Sequence, residues 1–295
     1  MNNIPKHAKL LSELGLFYSA AIWGATFFIV KDVLQNVDPI VLVGYRFILA
    51  AAVLGVFCLA ARKQLYRNVR HGLLAGFVLW LLYVSQTIGL GITTASNSGF
   101  ITGLFVAFVP IFSLILFRKM PALTDVVATA VCLLGLWMLT GGLTDINGGD
   151  LFTLVAAATY ALHILVLDKY IKEGDDPYLL SLQQFLFVGA VSLLIGAVIG
   201  LDFSVIGTKT TGMIVFLALL PTLSAFVIQV VAQKITKPFR VSLILTLEPV
   251  FAGLFAWTLG SEPIVFHRTI GGLFIVLGMI SSGIPQRQKR PQKRG

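Results

Sequence analysis

Glu248 is the residue hardest to explain as packing, because it is a carboxylate placed deep inside an apolar run, ILTLEPVFAGLFA over 244–256. Hydrocarbon around an ionisable group is costly unless the group is neutralised or paired. Glu248 therefore fits a proton-coupling site or a contact for a substrate ammonium. It fits equally a structural carboxylate paired with backbone or with Arg46. Arg46 lies about 10 Å inside its own run at 1.5 Å per helical residue, within snorkelling reach of water. It suits an ion pair or structural role, or a substrate carboxylate. His163 belongs to the residue type that changes charge near neutral pH, and it also fits a satisfied packing residue.

Around these groups the spacing collects aromatic and hydroxyl side chains onto shared helical faces. Trp23 and Thr26 are three residues apart, as are Tyr160 and His163, so each pair lies on one face. Trp80, Tyr83, Gln86 and Thr87 share a face of another run, and Ser98 and Thr102 a face of the next. Helical rise places Trp23 and Tyr83 about 16 Å, Glu248 about 14 Å and His163 about 18 Å from the start of their runs. Those depths are near the middle of a hydrocarbon core about 30 Å thick. Aromatic residues with polar tips ordinarily favour the membrane interfaces. At this depth they suggest a cavity lining, or helix packing closed by a local hydrogen bond. The expected pocket is aromatic, uncharged and hydrogen-bonding, suited to a small zwitterion or amphipathic metabolite. Gln229 and Gln233, on one face of a later run, are candidates for the same path.

The elements that hold these residues are dictated by composition. The chain has 295 residues, 57% hydrophobic and 12% charged, with mean hydropathy +0.91. Soluble domains carry about 25% charged residues, so this chain cannot coat a water-facing surface. The apolar runs predict ten transmembrane helices over 12–31, 39–61, 72–92, 98–117, 124–142, 151–170, 178–200, 211–233, 239–260 and 266–284. The first is read as a retained helix. The short connections leave no room for a catalytic domain. Cys58 and Cys132 fall inside apolar runs and read as buried small side chains.

Lys and Arg distribute unevenly over alternating loops: 18 on one set, including the N-terminal segment and the RQKRPQKRG tail, against Lys31, Lys209 and Arg268 on the other. Cytoplasmic loops carry the basic excess. Both termini are therefore expected in the cytoplasm of a bacterial inner-membrane, multi-pass protein. The net charge of +9 sits in these clusters, which argues against nucleic acid as a partner. The basic tail suits topology or anionic membrane lipid.

The two halves resemble one another. Trp23–Phe47 aligns with Tyr160–Phe185, matching Pro39 to Pro177 and Thr26 to His163, with one extra residue in the second copy. Val109–Phe117 aligns with Glu248–Ala256, pairing Pro110 with Pro249, and Leu133–Met138 aligns with Val276–Ser281. Five helices per copy is odd, so the second copy must be inserted upside down. The expected fold class is all-α: a first five-helix repeat over 1–142, an inverted one over 143–286, and a basic tail over 287–295. Such repeats place substrate near the midplane, at their interface. Pro110 and Pro249 would kink helices there, as gates or as static bends.

The pattern WG…K…P…YRF from Trp23 to Phe47, the stretch Gly89–Pro110 and the segment Leu247–Pro263 resemble the EamA-type drug/metabolite transporter superfamily, over nearly the whole chain. Within it the chain is most similar to the YddG-type aromatic amino-acid exporters. The resemblance implies ten helices, a five-plus-five inverted repeat and secondary transport by alternating access. One departure is visible: Arg118, Lys119, Met120 and Pro121 stand where a Gly-Glu pair is common, whereas the second half has Gly260-Ser261-Glu262.

The sequence contains no HExxH zinc pattern, GxxxxGK[ST] phosphate loop or GxSxG elbow. No cofactor, metal or catalytic residue is expected, and energy must come from a substrate gradient or a coupled ion. The expected function is secondary export of amino acids, aromatic and other apolar ones. Alternatives are another small metabolite or drug-like compound, a channel, or, from a different class, an intramembrane enzyme on a lipid-linked substrate.

Overall fold

A computed structural model describes residues 5–142, 146–258 and 266–281. Among these residues the protein is entirely helical, without strands. Nine helices are long and apolar enough to cross a membrane: α1 (Lys6–Val33), α2 (Pro39–Ala60), α3 (Val69–Ile92), α4 (Asn97–Phe117), α5 (Leu123–Thr140), α6 (Gly148–Lys172), α7 (Pro177–Val198), α8 (Thr208–Ala232) and α9 (Pro238–Phe255). A shorter apolar helix, α10 (Phe266–Ser281), follows. The expected run 266–284 extends past the described residues. The basic tail, Asp145 and the Gly260-Ser261-Glu262 segment lie outside them.

Local chemistry fixes several starts. Asp38 and Asp176 accept hydrogen bonds from the first backbone N–H groups of α2 and α7, each followed by proline at the first helical position. Asn147 and Asp150 form a reciprocal cap on α6. Helix α1 starts six residues before the expected 12–31 run, because the polar segment KHAKLLSE continues it.

The solvent relationship is inverted. Val56, Leu59, Ile115, Leu194 and Leu277 are exposed, whereas Ser19, Ser98, His163, Gln184, Thr222 and Gln229 are 0% exposed. Lipid tails accept apolar surface and cannot satisfy polar groups, which must then pair inside.

Helices meet most extensively as α5 with α10, α3 with α6, α2 with α7, α3 with α7 and α1 with α8. Glycine permits the closest approaches: a Cβ on Gly135 would stand 2.6 Å from Gly271 O, and one on Gly89 2.7 Å from Gly149 O. Along α1, Ser12, Ser19 and Trp23 donate to the carbonyls of Ala232, Ala225 and Pro221 at 3.0, 2.9 and 2.8 Å, and Tyr18 bonds Ser224 at 2.7 Å. These bonds zip the first half of the chain to the second.

Polar contacts at the helix ends segregate. Lys209 bonds Asp32, Lys31 bonds Thr93 O and Thr93 bonds Asp150, joining the first, third, fifth and seventh connections. At the opposite end Lys63 bonds Asp176 at 2.6 Å, His71 bonds Asp175 at 2.7 Å, and Arg240 bonds Glu13 at 3.2 Å. Partial burial pushes the Asp176 carboxyl up, but the bonds from Lys63, Leu179 N–H and Tyr178 N–H outweigh it and hold the carboxyl below its ordinary value. Its contribution is thus full above the unfolded value, about pH 4, and is lost as pH falls through the folded one. Lys63→Met is expected to remove about 0.2–1 kcal/mol of stability at pH 7. Much of that difference should vanish toward pH 3, as read from unfolding in detergent.

Candidate functional site

A small cavity of about 40 Å³ lies among α1, α2, α3, α6, α8 and α9. One water needs roughly 10–15 Å³ of such space, so the site has room for a few waters at most. Its wall includes Trp23, Thr26, Tyr83, Gln86 and Tyr160, five of the nine expected substrate contacts. Arg46 and Glu248, 3% and 6% exposed, line the same cavity. The expectation of an uncharged pocket is therefore corrected: one acid and one base both face it.

Each wall residue is positioned by a break or a bond. Helix α1 is interrupted at Ala25, and Thr26 Oγ1 closes onto Trp23 O at 2.7 Å. The α9 rod is interrupted at Thr246–Leu247, so Glu248 opens a second half-helix, Glu248–Thr258. A helix N-terminus carries partial positive charge and favours a carboxylate. Pro249 follows and cannot donate to Leu245 O. Helix α4 is interrupted at Leu104, while Pro110 sits within the continuous segment Phe105–Phe117. Interrupted helices at the midplane are a common way for transporters to present charge and backbone to substrate.

The aromatic residues form a contiguous wall. Trp23 meets Tyr160 edge-on at 6.2 Å and Phe226 at 5.1 Å, and Tyr83 meets Phe47 at 4.8 Å. Tyr160 Oη is buried without a hydrogen-bond partner, a donor available to a ligand.

The other expected contacts lie elsewhere. Thr102 reaches the wall indirectly, accepting from Gln86 Nε2 at 3.2 Å, and Ser98 is buried outside it. Trp80 donates to Ser192 at 3.1 Å, toward α7. His163 bonds Gln184 at 2.8 Å and is separated from the cavity by Phe226, ring centroids 6.0 Å apart. Gln229 and Gln233 are bonded to one another, and Gln233 also to Ile164 O, away from the cavity.

Among the contributors not anticipated are Phe226 and Thr222. Phe226 lies in an unbroken apolar run and carries no sequence signal. Thr222 accepts from Arg46 at 3.1 and 3.3 Å. It follows Pro221 inside an apolar run, the same mark that singles out Pro110 and Pro249.

A larger vestibule of about 690 Å³ lies at the end of the bundle bearing the basic connections, between α4, α6 and α9. Val109 and Leu165 are among its deeper residues. One turn from these along α4 and α6, Phe105 and Tyr160 meet at a tilt, ring centroids 4.4 Å apart, and Tyr160 also lines the cavity. Among the described residues no group of three or more His, Cys, Asp or Glu side chains is placed to hold a metal ion.

A bundle of membrane-spanning helices, with a cavity between its halves that Arg46 and Glu248 both line, defines a polytopic membrane protein of the transporter kind. The chain belongs to the EamA-like transporter family, whose model matches it twice, over residues 10–141 and 147–283. A transporter of Archaeoglobus fulgidus, described as uncharacterized, is 29% identical over 272 residues, covering 92% of this chain and 85% of that one. The uncharacterized transporter YyaM of Bacillus subtilis is 24% identical over 274 residues, covering 88% and 89%. A protein crystal structure of 17% identity shares the fold, with TM-score 0.77 over 92% of this chain and 96% of its own. This protein is a multi-pass membrane transporter of the drug/metabolite type.

Proposed function

We propose that the protein is a secondary transporter that exports small zwitterionic metabolites by alternating access, with apolar and aromatic amino acids as its substrates. The observation that carries this reading is the cavity in which buried Arg46 and buried Glu248 face the same space. Burying two opposite charges without pairing them is costly. A ligand carrying both an anionic and a cationic end would offset both. The aromatic wall supplies the apolar contact for a side chain, in the manner of a preformed ligand site.

The reading includes ten spans, both termini in the cytoplasm of a bacterial inner membrane, and two inverted repeats over 1–142 and 143–286. The twofold match of the family model supports the repeat. So does the helix pairing: exchanging each helix with the one five places along turns α3–α6 into α8–α1 and leaves α2–α7 and α5–α10 unchanged. The segregated end contacts support alternate threading. With the basic end inward, the vestibule opens to the cytoplasm, and in this reading the Phe105–Tyr160 pair bars the way to the cavity.

Reconstitution in liposomes with radiolabelled amino acids tests the reading. Saturable flux, competed by unlabelled analogues, is expected; product formation without flux would instead mark an enzyme. Tyr160→Ala should widen the cavity and remove a donor. Its expected effect is a shift of preference among apolar amino acids of about tenfold, the scale of 1.4 kcal/mol, with folded yield retained. Unchanged selectivity would remove Tyr160 from the site.

A further inference from the structure

Pro221 lacks the backbone N–H that would reach the carbonyl of Leu217, four residues earlier. Helix α8 widens there into a π-helical turn over Ala218–Ser224, a feature that often marks functional segments. The Thr222 hydroxyl donates its proton to that Leu217 oxygen at 2.8 Å. A hydroxyl has one proton and two lone pairs. With the proton committed, Thr222 Oγ1 can only accept, and it accepts from Arg46 Nε and Nη2 at 3.3 and 3.1 Å. The Pro221 carbonyl accepts from Trp23 Nε1 at 2.8 Å, so the turn is fixed to α1 as well as to α2.

The consequence falls on Arg46. A guanidinium has five N–H donors in a rigid plane. One edge is taken by Thr222, and the Tyr83 ring lies against it, 5.1 Å from centroid to Cζ. Among the described residues no carboxylate lies within 4.0 Å of Arg46. The charge is buried without a carboxylate partner; Thr222 and the Tyr83 hydroxyl take part of its donor set, and the rest stands at the cavity that Glu248 also lines.

We propose that Thr222 is a positioning residue for substrate specificity. It sets the plane of the Arg46 guanidinium so that the free edge receives the carboxylate of a zwitterionic ligand, whose ammonium is directed to Glu248. This assignment rests on the transport reading above. Two parallel N–H···O bonds to a carboxylate demand a fixed plane, which a freely rotating guanidinium supplies poorly. Thr222 therefore acts on the carboxylate end of the ligand alone.

That asymmetry gives the test. The full chain is reconstituted in liposomes, with labelled phenylalanine as probe and phenylalanine amide as competitor; the amide keeps ring and ammonium but lacks the carboxylate. Thr222→Val is expected to raise the KM for phenylalanine about tenfold, with maximal flux within about twofold and the inhibition constant of the amide unchanged, a tenfold change being about 1.4 kcal/mol. Thr222→Ser, which keeps the hydroxyl, should restore the KM. An equal rise for both ligands, or no rise, overturns the assignment. If Thr222→Val yields no folded protein, Arg46→Lys keeps the charge but loses the paired donors. It should show the same selective loss, and an equal loss for both ligands again overturns the assignment. Absence of saturable flux from the unmodified protein overturns the transport reading and this inference together. Saturable flux with a non-discriminating Thr222→Val overturns this inference alone.

Discussion

Replacing Glu248 by Gln is expected to abolish the response of transport to an imposed pH gradient, with substrate exchange at equal pH weakened but still measurable. One pH unit across the membrane is worth about 1.4 kcal/mol per proton, a tenfold accumulation for one proton exchanged per substrate. The unmodified protein should show a response of that order in proteoliposomes, and Glu248→Gln none. The reason is placement. The other carboxylates near the helix ends are engaged: Glu13 with Arg240, Asp150 with Thr93 and Asp168 with Lys172. Glu248 is 6% exposed, faces the cavity, and makes no ion pair with Arg46 across it. A buried carboxylate of this kind needs a proton or a cation as partner, and a site that alternates between the two couples them. Glutamine keeps shape and hydrogen bonding but carries no exchangeable charge. Gradient-driven flux that survives the substitution makes Glu248 a structural residue.

The second large effect is expected at Gly24, whose role is to have no side chain. A Cβ there would stand 2.6 Å from Glu248 O, 2.9 Å from Ala252 N and 2.9 Å from Phe251 Cβ. Two of these atoms are backbone, so no rotamer change relieves the contact. Gly24→Val must push α9 away from α1, parting Trp23 and Thr26 from Glu248. Overpacking of this kind costs about 1–3 kcal/mol. The expected result is a lower thermal midpoint in detergent and loss of flux in the fraction that folds. Gly212 in α8 is the control: a Cβ there meets nothing within 4 Å, so Gly212→Ala should be neutral or slightly stabilising, as helix propensity predicts. Equal behaviour of the two variants would show that the α1–α9 approach does not position the site.

The Phe105–Tyr160 pair joins α4 to α6, and α1 and α9 are each interrupted beside the cavity. Breaks in helices let short segments tilt without repacking the whole rods.

Composition and periodicity were enough to determine the membrane class, because a spanning helix in lipid has a length and polarity that no other element satisfies. They located the helices to within a few residues, missing only extensions such as 6–11 of α1, where an amphipathic end joins an apolar run without a break. Trp23, Thr26, Tyr83, Gln86 and Tyr160 were legible as candidates for a cavity lining because polar and aromatic groups within apolar runs stand out against aliphatic ones, and all five line the cavity. Local spacing could not decide which polar face turns inward. Trp80 and Tyr83 share a face by the three-residue rule, yet Trp80 bonds Ser192 and Tyr83 lines the cavity, because a shared face is wide enough to touch two neighbours. His163 was drawn behind Phe226 by Gln184, a partner 21 residues away that no local pattern names. The π-turn at Pro221 and its hold on Arg46 exist only through contacts between α2 and α8, 176 residues apart in sequence. The sequence by itself thus determined the solvent, the helices and the deep acid. Tertiary packing alone decided that Arg46 faces the same cavity as Glu248, because which charges meet across a bundle depends on how the helices rotate against one another, and that rotation is set by all their neighbours at once.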